Sequence, residues 1–367
     1  MVFTVKNQFN PDYAIHPGEI LEETLQARGI KKVDLAKRIG LSEKTINQII
    51  HEKAPVTPET AIQLERVLGV SAAIWNNLEA FYRLHIARES SRKQLGTRVE
   101  WIRSFPVKEL VKRGVIDKPI DHIDTAEKLL NFFAIGSIEA WENRFNNLAV
   151  NFRHSNSFKS APESVTTWLR IGELKAEEIV AEPYNKGKFI ASLYKIRELT
   201  SKPPEVFEPR MKELCREAGV VLVFAYELQK THLFGATRWL TPEKALIILS
   251  LRYKTDDHFW FSFFHEAGHI LHHGKKDIFL DEKEMEANEK EKEADRFATK
   301  ILIPDDKYQT FVKNINNKHV TKQLVCNFAG SVNVAPGIVV GRLQHNHVIP
   351  YSLLNGLKRK FELLENN

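Results

Sequence analysis

Along most of this chain apolar residues return every three or four positions, the period of a helix buried on one side. From His16 to Arg88 the repeat comes in short pieces. "HPGEILEETLQARG" is apolar at Ile20, Leu21 and Leu25 and stops at Gly29, and "KKVDLAKRIGLSEKTINQIIHEK" follows at once. Short segments so closely spaced predict a compact helical bundle. From Glu89 to about Ser201 the helical pattern continues in "ELVKRGVI", "EKLLNFFAIGSIEAWENRF" and "VTTWLRIGELKAEEIVA". The proline-rich "TSKPPEVFEPR" is expected to break it.

After that break the period changes. "AGVVLVFAYEL" and "KALIILSLRY" are β-branched apolar runs separated by "FGATRWLTPE", the mark of strands in a small sheet. "FWFSFFHEAGHILHH", Phe259 to His273, then predicts a buried helix. An acidic, lysine-rich helix is expected from Asp281 to about Leu302, stopped by Pro304, and "TKQLVCNFAGSVNVAPGIVVGRLQ" reads as two more helices around a turn. The chain is thus α+β and predominantly helical. Its expected parts are an N-terminal helix-turn-helix bundle at 14–88, a helical middle at 89–201 and a C-terminal domain with a small sheet at 202–367.

The 367 residues, 43% hydrophobic and 27% charged, have ordinary globular composition and length for two or three domains. A formal charge of +6 permits a nucleic-acid partner without requiring one. Cys215 and Cys326 are the only cysteines, which excludes a disulfide framework and a cysteine zinc ribbon and fits a reducing cytoplasm. The opening "MVFTVKNQFNPDYAIHPGEI" lacks the basic and apolar regions of a signal peptide, and no run reaches the ~18 apolar residues of a membrane span. A cytoplasmic protein with no membrane partner is expected.

One apolar helix nonetheless carries two histidines and a glutamate, and burying such groups unsatisfied costs several kcal/mol. His265, Glu266 and His269 form HExxH. Residues four apart on a helix sit one above the other, so both imidazoles can bind one zinc ion (Zn2+) at ~2.0–2.1 Å. Glu266, beside the first ligand, is placed to act as general base on a water. Gly268 lets another segment approach, and Phe261, Phe264, Ile270 and Leu271 would anchor the helix. A third ligand must come from a second helix. "EKEADRFATKILIP" begins 22 residues after His269 and holds ExxxD as Glu291 and Asp295. Glu291 completes the site, with Glu293 as its rival roughly 200° around the helix. Asp295 is placed to accept the second N–H of a liganding histidine. His272 and His273 are either outer supports or exposed. Tyr253, Arg342, His345 and His347 are candidate donors to a tetrahedral oxyanion.

The stretch from about Phe207 to Gln344, including "GATRWLTPEKALIILSLR", the HExxH helix, "EKEADRFATKILIP" and "APGIVVGRLQ", resembles the ImmA/IrrE family of gluzincin-like metallopeptidases, which cleave transcriptional repressors. The resemblance implies a zincin-like fold, His265, His269 and Glu291 as zinc ligands, and Glu266 as catalytic base.

At the other end, "VDLAKRIGLSEKTINQIIHEK" has Leu35, Ala36 and Ile39 facing inward, Gly40 at a turn, Ser42 as the next cap and Ile46, Ile49 and Ile50 on a second buried side. This is a helix-turn-helix layout. The second helix offers Ser42, Glu43, Lys44, Thr45, Asn47 and Gln48, types that read base edges in a major groove, with Lys53 just beyond. Seven cations from Arg28 to Lys53 face three carboxylates, a surplus where phosphates of double-stranded DNA would lie. Residues 14–88 resemble the HigA-like antitoxin branch of the XRE helix-turn-helix family through "HPGEIL", "LAKRIGLSEKTINQII" and "TPETAIQLERVLGVSAAIWNNLEAFYR". That likeness implies five helices, a homodimer and repression of an operon. "FAGSVNVAPGIVVGRLQ" has a weaker look of the same motif, but its apolar turn favours packing.

Together the two ends predict a DNA-binding zinc endopeptidase and transcriptional regulator acting on a repressor or antitoxin. The alternative is an antitoxin-like repressor whose peptidase-like domain binds or senses a partner without cutting it.

Overall fold

The computed structural model describes residues 13–145, 161–250, 255–275, 279–282, 289–315 and 320–361. The chain divides into two units, Met1–Val99 and Glu100–Asn367. Among the described residues the first holds α1 (Pro17–Ala27), α2 (Lys32–Ile39), α3 (Glu43–Ile50), α4 (Pro58–Leu68) and α5 (Ala72–Gly96). His16 starts α1 by accepting the Gly18 amide on Nδ1 at 2.9 Å. Gly40 ends α2 in the left-handed region at φ 72°, where a residue with a Cβ would be strained. Ser42 starts α3 by accepting the Thr45 amide at 3.0 Å. Leu35, Ala36, Ile39, Ile46, Ile49 and Ile50 are buried with Leu21, Leu64 and Trp75 in one apolar core, as their spacing predicts.

α6 (Val99–Ser104) crosses from the first unit into the second, which continues with α7 (Val107–Lys112) and α8 (His122–Phe133), followed by helical residues 138–145. Next are α9 (Pro162–Glu177) and α10 (Lys186–Glu198). These helices share a unit with the sheet. Trp168 of α9 donates from Nε1 to the Ala225 carbonyl at 3.2 Å, and Arg113 donates to the Tyr226 carbonyl at 3.0 Å.

The expected break at "TSKPPEVFEPR" is largely a helix instead, α11 (Pro204–Glu217), with Pro209 inside it. Pro204 sits in the first turn, where a missing N–H costs nothing. Phe207, Met211, Leu214 and Cys215 form a buried stripe on α11, and this burial outweighs the hydrogen bond lost at Pro209.

The sheet has the order β1-β3-β2-β4, from β1 (Val220–Phe224), β2 (Leu233–Thr241), β3 (Lys244–Leu249) and β4 (Phe279–Glu282). β1 runs parallel to β3, and β2 is antiparallel to both β3 and β4. Two expectations need correction. "FGATRWLTPE" is not merely a separator; most of it is strand β2, whose Gly235, Ala236 and Thr237 are all buried, so no alternation betrays it. Asp281 and Glu282 belong to strand β4, and the acidic helix α13 runs from Glu289 to Leu302.

Helix α12 (Asp256–His272) is the axis of this unit. Trp260, Phe263, Phe264 and Ala267 are fully buried, each large side chain contributing about 1.5–3 kcal/mol. The chain closes with α14 (Asp305–Ile315), α15 (Lys322–Ser331) and α16 (Pro336–His345). The α15–α16 pair packs into the core, with Val325, Ala329, Val339, Val340 and Leu343 at or near zero exposure. No single helix among the described residues is long and apolar enough to cross a membrane; α15 and α16 meet that test only together, across a 109° bend.

The start of α12 is pinned by buried charge. Asp256 bonds the Arg359 amide and guanidinium, both at 3.1 Å, and Asp257 pairs with Lys358 at 2.6 Å. α16 lies directly on these carboxylates through glycines: a Cβ on Gly337 would sit 2.1 Å from Asp256 Oδ1. Gly337→Ala should therefore lower stability by about 1–3 kcal/mol despite the better helix propensity of alanine. Gly330→Ala on α15, where a Cβ meets nothing within 4 Å, should be neutral or stabilising. Urea unfolding of both variants checks this, and equal stability of Gly337→Ala and wild type would contradict it.

Candidate metal centre and nucleic-acid interface

Helices α12 and α13 lie antiparallel, His265 opposite Asp295 and His269 opposite Glu291. Gly268 permits the approach, since a Cβ there would lie 3.1 Å from Ala294 Cα. Between the helices His265 Nε2 is 3.0 Å from His269 Nε2 and 3.1 Å from Glu291 Oε2, and His269 Nε2 is 3.4 Å from the same oxygen. A tetrahedral ion with ~2.0–2.1 Å bonds has ligand–ligand edges of about 3.3 Å. The trio has the spacing of three corners of that tetrahedron.

Protonation agrees with the distances. His265 Nδ1 lies 2.8 Å from Asp295 Oδ1, and a carboxylate accepts, so the imidazole proton sits on Nδ1 and the Nε2 lone pair faces the other two ligands. Burial lowers the pKa of His269, keeping it neutral at pH 7. Two neutral imidazoles and a carboxylate that converge in this way suit a divalent cation, and the set matches the His2Glu ligation of catalytic zinc.

Glu293 does not reach this point. Its carboxylate instead lies 3.3 Å from His273 Nε2 and 3.6 Å from His272 Nδ1, toward the C-terminal end of α12.

Glu266 is fully buried against strand β2. Thr237 donates from Oγ1 to Glu266 Oε2 at 2.5 Å, and a Cβ on Gly235 would fall 2.6 Å from Oε1. Strand β2 thus fits the carboxylate with a hydroxyl and a glycine. Neither residue was singled out from the sequence, because their proximity to Glu266 depends on sheet register. Among the anticipated oxyanion donors, Arg342 is engaged by the carbonyls of Thr299 and Ile303 and by Asp305, and His345 and His347 are exposed. Tyr253 lies outside the described residues.

In the first unit, Ser42 and Thr45 are partly occupied with each other through the cap, their hydroxyls 2.8 Å apart. Glu43, Lys44 and Lys53 are exposed and Asn47 and Gln48 half-buried. The Lys44, Asn47 and Gln48 side chains make no hydrogen bond or ion pair among the described residues, so they are available to an outside partner.

Comparison with known proteins gives two family matches: a helix-turn-helix model over residues 21–75 and the IrrE N-terminal-like peptidase domain over residues 215–343. The chain joins a helix-turn-helix domain to an IrrE N-terminal-like domain. Its front end is 40% identical over 80 residues to virulence-associated protein I of Dichelobacter nodosus, covering 22% of this chain and 74% of that protein. It is 31% identical over 74 residues to the HTH-type transcriptional regulator YddM of Escherichia coli, covering 20% and 79%. Among solved structures, the Pseudomonas aeruginosa antitoxin HigA with its promoter is similar at 35% identity and a TM-score of 0.22, covering 24% of this chain and 96% of that one. A HigA-family antidote protein of Coxiella burnetii is similar at 30% identity and a TM-score of 0.21, covering 23% and 94%.

Proposed function

We propose that this protein is a DNA-tethered zinc metalloendopeptidase that cuts a repressor- or antitoxin-type regulatory protein. The observation that carries the reading is the convergence of His265, His269 and Glu291 beside a buried Glu266. Zinc, when bound, would polarise the scissile carbonyl and lower the pKa of a water toward ~7. Glu266 would take the proton from the attacking water and pass it to the leaving amine. Thr237 holds that carboxylate in place, and Asp295 keeps His265 in the liganding tautomer. The peptidase family match supports this reading, and an intact Glu266 favours catalysis over sensing alone.

At the front end Lys44, Asn47, Gln48 and Lys53, with Glu43, Ser42 and Thr45, would meet the major groove of an operator, in keeping with the helix-turn-helix match. Ile74, Phe81 and Leu84 stand out from α5 at seven- and three-residue spacing, with Phe81 70% exposed, and offer an apolar stripe to a second copy of the chain.

Two outcomes test the proposal. New protein N-termini generated in cells by the wild type should fall at least ~100-fold with Glu266→Gln, while zinc content stays equal. Identical N-termini in both would leave the sensing alternative. A duplex selected from random DNA should be shifted by the wild type, and Lys44→Ala with Asn47→Ala should weaken binding by about 10–100-fold. An unchanged shift would remove α3 from the DNA interface.

A further inference from the structure

Beyond the three ligands and Asp295, α12 ends in a histidine that the proposed chemistry leaves unused. His273 caps the helix, its side chain only 4% exposed. Its Nδ1 lies 2.9 Å from Nδ1 of His269, and the two rings are 5.0 Å apart. Its Nε2 lies 3.3 Å from Glu293 Oε2.

The polarity of this row has one solution compatible with metal binding. Two Nδ1 atoms at hydrogen-bond distance need one donor and one acceptor. If His269 presents its Nε2 lone pair to a cation, the proton of the neutral ring is on Nδ1 and points at His273. His273 then accepts on Nδ1, carries its own proton on Nε2 and donates it to Glu293. Reversing either tautomer would put a proton on His269 Nε2 or set a lone pair against a carboxylate. The row ends in a carboxylate, as does the His265–Asp295 contact, so each liganding imidazole has its own anchor on α13.

We propose that His273 and Glu293 are positioning residues for the metal site: His273 accepts the Nδ1 proton of His269, Glu293 orients His273, and together they hold His269 as an Nε2 ligand. The inference rests on the metal reading above. It assigns Glu293, the rival third ligand by sequence, an outer role. Glu293 is about half exposed, so its contribution is smaller than that of the enclosed His273.

The test is the zinc dissociation constant, measured by competition with a zinc-sensitive chelator on the full chain. His273→Ala should weaken zinc binding by about 10–100-fold. His273→Asn, whose Oδ1 can accept the same proton, should recover most of that loss. Glu293→Ala should weaken binding by a smaller factor, and adding it to His273→Ala should cost nothing further, because the first change already breaks the row. Zinc affinity of His273→Ala within twofold of wild type, or no recovery with Asn, would overturn the proposal. Wild type and Glu291→Ala serve as references. Zinc on the wild type but not on Glu291→Ala, with His273→Ala unaffected, overturns the positioning role alone; no zinc on the wild type overturns the metal reading with it.

Discussion

Three electron-pair donors that face one another between helices α12 and α13 set the terms for the second unit. His265, His269 and Glu291 lie within 3.4 Å of each other where water has little access. Without a shared positive charge, such a cluster would carry a desolvation cost of several kcal/mol. The surrounding features serve this arrangement. Gly268 brings α13 close, Asp295 and His273 fill the outer positions of the imidazoles, and Trp260, Phe263 and Phe264 hold α12 in the core. Asp256 and Asp257 fasten the far end of the same helix to Lys358 and Arg359.

Strand β2 connects this centre to the helical middle of the chain. Thr237 faces α12 and bonds Glu266, while its neighbour Arg238 turns to the opposite face of the sheet and pairs with Glu173 of α9. Glu173 also pairs with Arg170, which bonds the Phe132 carbonyl at the end of α8. The middle helices and the strand under Glu266 therefore belong to one hydrogen-bonded framework.

The legible parts of this chain were those whose meaning lies within one or two helical turns. HExxH, the ExxxD of α13 and the caps at Gly40 and Ser42 place residues four or fewer apart, and local geometry fixes their mutual arrangement. Glu291 stood out through the ExxxD spacing it shares with Asp295, whereas Glu293, two residues on, meets His272 and His273 instead. Strand β2 was opaque because both its faces are covered and its residues near Glu266 are small, which erases the period-two signal. The roles of Gly235 and Thr237 depend on a sheet contact 29 residues away in sequence from Glu266. The start of α13 was misplaced because Asp281 and Glu282 look like helix formers, yet pairing with β2 makes them strand. Pro209 misled for a related reason: a buried stripe can retain a helix that local propensity would end.

We propose that the α12–α13 pair builds a zinc site from His265, His269 and Glu291. Metal content of protein purified without chelator tests it most directly, comparing wild type with Glu291→Ala. About one zinc per folded wild-type chain and a large loss in the variant is the predicted result. A folded wild type without metal, or a variant that retains it fully, would contradict the account.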